Sequence, residues 1–125
     1  MRILIADRQK KVRFALRVLL ERQPGYKVIG EATNAQGLLD QAKGTCPDVV
    51  LLSWELSNTK EADLLAALRE TCPNLQIIVL SGRLGAAQAA LDAGADAFVS
   101  KGNPPEKLLA AINGCSCEPE IQGQG

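Results

Sequence analysis

Five short apolar runs punctuate the chain, and four of them close on a polar residue. They are Arg2–Ala6 ending at Asp7, Tyr26–Gly30, Val49–Leu52 ending at Ser53, Leu75–Leu80 ending at Ser81-Gly82, and Ala97–Ser100 ending at Lys101. Continuous rather than alternating hydrophobicity over so short a span predicts strands covered on both faces, as in parallel sheets. Val49-Val50-Leu51-Leu52 has no polar residue at all and is predicted to be the central strand. Its last residue, Ser53, then falls at the carboxyl rim, where open parallel sheets bind ligands and carry chemistry.

Between the runs the period changes from continuous to helical. Gln9–Arg22 places Val12, Leu16, Leu19 and Leu20 on one face, and Pro24-Gly25 stops it. Asn34–Lys43 is predicted as a helix capped by Thr33 or Asn34 and closed by Gly44. Asn58–Glu70 turns Leu64, Leu65 and Leu68 inward, Ala86–Ala93 is a small-residue helix ended by Gly94, and Pro104-Pro105 opens a last helix to about Ile112. Strict alternation with short connections implies right-handed crossovers and helices on both faces of one parallel sheet. Residues 1–113 form one domain, and 114–125, rich in Gly, Cys, Pro and Gln, read as a linker or tail.

Composition narrows the function classes. With 14 basic and 14 acidic side chains the formal charge is zero, which argues against bulk electrostatic binding of nucleic acid or anionic membrane. No apolar run approaches the roughly 20 residues of a membrane span, and with the first strand beginning at once no signal peptide is expected. The expected location is cytoplasmic. Cys46 and Cys72 each sit in Thr-Cys-Pro before a strand and are expected to be buried reduced thiols. Cys115 and Cys117 lie near the end, and with no histidine in the chain they fall short of a zinc site.

Parallel strands deliver Asp7, Arg8, Ser53, Ser81 and Lys101 to one edge, with Glu55 two residues past Ser53. In this order and spacing, Ile3-Leu4-Ile5-Ala6-Asp7, Pro47-Asp48-Val49-Val50-Leu51-Leu52, Val79-Leu80-Ser81-Gly82 and Ala93–Lys101 resemble the receiver domains of two-component response regulators over residues 2–113. The resemblance implies a doubly wound, flavodoxin-like or CheY-like α/β fold: five parallel strands in order 2-1-3-4-5 with five helices. It also implies roles: Asp7 matches one of two magnesium-binding acids, Ser81 the switch hydroxyl, Phe98 the switch aromatic, and Lys101 the lysine that contacts the phosphoryl group.

Two positions depart from that pattern. Arg8 stands where the second acid is expected, and Ser53 where an aspartate accepts the phosphoryl group. The loop after Ser53 also lacks the proline and glycine many receivers carry. A hard divalent cation needs oxygen ligands and excess negative charge, so magnesium binding is expected to be lost and no cofactor is assigned. A serine hydroxyl needs a general base to become nucleophilic, so phosphorelay through Ser53 is not expected. Arg8, with five donors, is a candidate to clamp Asp7 or Glu55 in the cation's place; the plainer expectation is a solvated side chain.

The leading expectation is therefore an atypical receiver, not an enzyme, that works through protein contacts. The family resemblance implies pairing through the face of helix 4, strand 5 and helix 5, including Gly85–Leu91 and Leu108–Ile112. Lys101-Gly102 resembles receivers that precede LuxR-type DNA-binding output domains, the receiver itself making no nucleic-acid contact. Two alternatives stand beside it: Arg8 and Ser53 as engineered substitutions in a working receiver, or a small enzyme using a Ser53–Lys101 pair. Against the last, no phosphate loop follows strand 1 and no Gly-x-Ser-x-Gly elbow surrounds Ser53.

Overall fold

A computed structural model describes residues 1–54, 56, 61–83 and 85–116. Within it five strands, β1 (Arg2–Ala6), β2 (Lys27–Ala32), β3 (Val49–Ser53), β4 (Gln76–Ser81) and β5 (Ala97–Ser100), form one sheet in the order β2-β1-β3-β4-β5. Every pairing is parallel. The helices are α1 (Lys10–Glu21), α2 (Ala35–Thr45), α3 (Glu61–Thr71), α4 (Ala86–Asp92) and α5 (Pro105–Ser116). The alternating parallel architecture is as the sequence pattern predicts, and the strand order is the one the resemblance implies.

Residue parity along the strands divides the core in two. Leu4, Ala6, Val50, Leu52, Ile77 and Val79 point to one face and pack with Leu38 and Ala42 of α2, Leu65 and Leu68 of α3 and Ala90 of α4. Ile3, Ile5, Val49, Leu51, Ile78 and Leu80 point to the other, against Leu20 of α1 and Leu108 and Ile112 of α5. All five residues of β3 are buried, which is why its sequence tolerates no alternation. Gly25, at φ +81°, sits in the turn between α1 and β2, and Gly94, at φ +111°, takes the left-handed position just after α4.

Several boundaries differ from the sequence reading. β2 runs two residues beyond Gly30, and a one-residue shift of the β1–β2 register between Ile3 and Leu4 pairs Ala6 with Ala32 rather than Glu31. Gly44 does not close α2; the helix continues to Thr45, and Cys46 takes the left-handed cap at φ 42°. Asn34, not Thr33, caps its start, its side chain accepting from Gly37 N at 2.7 Å. α5 reaches Ser116, four residues past Ile112, and residues 58–60 of the predicted third helix lie outside the described residues.

The cysteine expectation is corrected. Cys46 and Cys72 are joined in a disulfide, with their Cα atoms 5.6 Å apart, and Cys46 is exposed rather than buried. α2 and α3 pack side by side on the same face of the sheet, so their C-terminal ends meet. That proximity is tertiary and could not be read from either Thr-Cys-Pro by itself.

Candidate functional site

β1, β3 and β4 lie side by side and end level, so three polar residues that follow or close buried runs are held at one rim. Asp7, Ser53 and Ser81 are the buried polar side chains of the described chain, at 2%, 4% and 0% exposure. A buried polar group must find partners, and each of these does. Asp7 Oδ1 accepts from Gln9 N at 2.8 Å, and Asp7 Oδ2 accepts from Lys101 Nζ at 2.9 Å. The same Nζ donates to Ser53 Oγ at 3.1 Å. Ser81 Oγ accepts from Arg83 N at 3.0 Å.

Lys101 thus reaches across the rim and bridges β1 to β3. Its own backbone is fixed from behind, with Lys101 N donating to Ser81 O at 2.9 Å. The position after β5 is set by the ladder with β4, where Ser81 pairs with Ser100. The lysine is therefore aimed by the sheet rather than by a flexible loop, and its ammonium sits between one buried carboxylate and one buried hydroxyl.

In front of these groups opens a cleft of about 590 Å³ lined by Asp7, Arg8, Gln9, Ser53, Gly82, Arg83 and Lys101. It contains three cationic side chains and one carboxylate. Arg8 is exposed and makes no ion pair with any described residue; Asp7 is held by Lys101 instead. The proposed clamp of Arg8 on Asp7 is absent, and Glu55 lies outside the described residues. Phe98 is half-buried and, like Trp54, packs against the core face that contains Leu52, Val79 and Ala90. Gln9 and Arg83 were not singled out from sequence, although each stands two residues beyond a rim residue already flagged.

A second group behind β1 also escaped the sequence reading. Glu31, on β2, accepts from Arg13 Nε at 3.0 Å and Arg17 Nε at 2.7 Å, while Arg13 Nη1 donates to Asp7 O at 2.8 Å. The hydrogen bond from Arg17 holds the Glu31 carboxyl below its ordinary range, with Arg13 helping and burial opposing. The signal available was two arginines four apart on α1, one turn spacing, facing a strand-end acid.

On the face of α4, β5 and α5, Leu91 is exposed, whereas Leu108 and Ile112 are buried in the domain's own core. A mostly apolar cleft of about 410 Å³, with Val12 and Leu16 of α1 and Pro104 and Leu108 beside it, meets the rim only through Lys101. No described helix is long and apolar enough to cross a membrane.

Residues 3–113 match the family model described as the response regulator receiver domain. The nitrate/nitrite response regulator protein NarP of Escherichia coli is 36% identical over 112 residues, covering 88% of this chain and 52% of that protein. The chemotaxis protein CheY of Thermotoga maritima is 31% identical over 114 residues, 90% of this chain and 94% of that protein. A LuxR-family two-component response regulator from Aurantimonas sp. SI85-9A1 superposes with a TM-score of 0.84 at 30% identity, covering 96% of this chain and 91% of that one. The chain spans about half the length of NarP but nearly all of the chemotaxis protein.

Proposed function

The chain belongs to the response regulator receiver domain family of two-component signalling, and on that premise we propose that it is an atypical receiver that signals through protein contacts without accepting a phosphoryl group. The observation that carries this reading is the Lys101 bridge: the ammonium is held between Asp7 Oδ2 and Ser53 Oγ, so the lysine is partnered by the chain's own side chains. Ser53 supplies a hydroxyl where the family uses a carboxylate, and no histidine exists in the chain to activate it.

The donor set does not fit magnesium. Among the described lining residues Asp7 is the one carboxylate, and both of its oxygens are engaged, by Gln9 N and Lys101 Nζ. Arg8 and Arg83 add positive charge to the same cleft. A cation that needs six oxygen ligands in near-octahedral order would meet one carboxylate and repulsion.

The output follows from the partners. We take the domain to be cytoplasmic and to regulate a LuxR-type DNA-binding domain in a longer parent chain, itself making no contact with DNA. Pairing with a second copy uses the α4–β5–α5 face, with Leu91 as its exposed apolar contribution. The domain is not an enzyme in this reading. A Ser53–Lys101 hydrolase has the required proximity, but Lys101 donates to Ser53 while ion-paired with Asp7, and an ammonium has no lone pair to take the serine proton. Substitutions engineered into a working receiver would give the same cleft and, like natural drift, the same failure to accept a phosphoryl group.

Incubation of the protein with a small phosphodonor and Mg²⁺, followed by intact-mass measurement, tests the reading. No phosphoryl adduct is expected on the unmodified chain; an acid-stable or base-labile adduct at residue 53 would overturn it.

A further inference from the structure

At the edge of the sheet opposite the cleft, the chain uses one short unit twice. Thr45-Cys46-Pro47 ends α2, and Thr71-Cys72-Pro73 ends α3. Thr45 Oγ1 donates to Gln41 O at 2.7 Å, and Thr71 Oγ1 donates to Ala67 O at 2.8 Å. Cys46 N donates to Ala42 O at 2.7 Å, and Cys72 N to Leu68 O at 2.9 Å. In each copy the threonine bonds back into the last turn, the cysteine amide closes it, and the proline, lacking an N–H, ends the helix.

Because the two helices are neighbours on one face, equivalent positions of the two copies come together. The Cα atoms of Cys46 and Cys72 are 5.6 Å apart, inside the 4.4–6.8 Å window that a disulfide requires, and the two are bonded. Their surroundings are unequal. Cys72 is 4% exposed, whereas Cys46, turned into the left-handed conformation at φ 42°, is exposed. Among the described residues no group of three His, Cys, Asp or Glu could hold a metal, so ligation does not account for the pair.

We propose that Cys46 and Cys72 form a reversible dithiol–disulfide site, oxidised by small-molecule disulfides of the glutathione class and reduced by the corresponding thiols. In the oxidising direction the exposed Cys46 thiolate attacks one sulfur of the small disulfide, forming a mixed disulfide and expelling one small thiolate. The Cys72 thiolate then attacks Cys46 Sγ, forming the internal bond and expelling the second. Two protein thiols lose two electrons and two protons; one small disulfide becomes two small thiols. Exposure of residue 46 and burial of residue 72 divides the roles of attacking and resolving cysteine.

The bond closes a loop across a sequence separation of 26 that contains all of β3, Ser53 and α3. Oxidation therefore fastens the segment that carries the rim serine, using groups that no part of the cleft employs. The proposal is independent of whether Ser53 accepts a phosphoryl group.

The test equilibrates the full chain in buffers of graded reduced-to-oxidised glutathione ratio, blocks free thiols with N-ethylmaleimide, and maps peptides by mass spectrometry without reduction. A Cys46–Cys72 cross-linked peptide pair should rise from minor to dominant with the oxidised fraction, in monomeric protein, and fall along the same curve when the ratio is reversed. The oxidised form should melt on the order of 10 °C above the reduced one, and Cys46→Ser and Cys72→Ser should each abolish that difference. Thiols that remain alkylated at every ratio, linkage to Cys115, Cys117 or another chain, or a bond that never reopens would each overturn the proposal.

Discussion

Lys101 Nζ lies 2.9 Å from Asp7 Oδ2 although the two residues are 94 positions apart in the chain. The carboxylate is buried and the lysine side chain about one-quarter open to solvent, at 3% and 27% exposure. Removing the cation from such a pair strands a charge that water can barely reach. We predict that Lys101→Met lowers unfolding stability by about 1–3 kcal/mol, less than a fully buried pair would lose because the lysine is partly hydrated. Asp7→Asn/Lys101→Met should recover part of that loss, since no charge is then left alone. Urea midpoints of the two variants and the parent decide it; equal midpoints for all three would remove the ion pair from the account.

Restoring acids should restore chemistry in a definite order. Ser53→Asp alone is expected to remain refractory to a small phosphodonor with Mg²⁺, because Arg8 still opposes the metal. Arg8→Asp/Ser53→Asp should acquire a hydroxylamine-labile phosphoryl group. Intact mass and phosphate release report both. Labelling of Ser53→Asp as rapid as that of the double variant would show that Arg8 does not guard the site. Labelling of the double variant would show that Asp7, Ser81 and Lys101 still form a usable frame around position 53.

Glu31 makes stability depend on pH in a known direction. Its carboxyl titrates below the ordinary range when folded, chiefly through the hydrogen bond from Arg17. The folded state therefore favours the ionised form, and the contribution is full above the unfolded pKa and lost as pH falls through the folded one. Glu31→Gln should be less stable than the parent at pH 7, with the gap closing in acid. Thermal melts between neutral pH and pH 3 measure it; a gap that stays constant would mean the effect is packing rather than charge.

Arg69 fastens the turns around β4 and β5. It donates to Leu75 O, Gly94 O and Asp96 Oδ2, each at 2.7 Å, while Asp96 Oδ2 also accepts from Ile77 N at 2.7 Å. A planar fork serves three acceptors in two loops, which an ammonium cannot match. We predict a loss of about 1–3 kcal/mol for Arg69→Ala, and little recovery in Arg69→Lys. Full rescue by lysine would show that charge alone suffices.

The strands were legible because each is a short run that must be covered on both sides, and β3, buried throughout, carries the strongest signal. Strand order entered through the family resemblance, and the ladders bear it out. The rim set of Asp7, Ser53, Ser81 and Lys101 followed from parallel strands ending level. What sequence did not carry was side-chain choice. Whether Asp7 would take Arg8 or Lys101 as its partner depends on where the β4–β5 ladder aims position 101, and on nothing local to Asp7. β2 continues to Ala32 across the β1–β2 register shift, with Glu31 opposite α1, an outcome of pairing rather than propensity. Cys46 and Cys72 look alike in sequence, and only the packing of α2 beside α3 joins them.

β1 and β3 are hydrogen-bonded neighbours, with Ala6 opposite Leu52, so the spacing of positions 7 and 53 is cast by main-chain atoms that no side-chain replacement alters. The mould is thus independent of the side chains set in it. A rim built this way can carry acids, hydroxyls or guanidinium groups and still present the same outline to whatever docks on it.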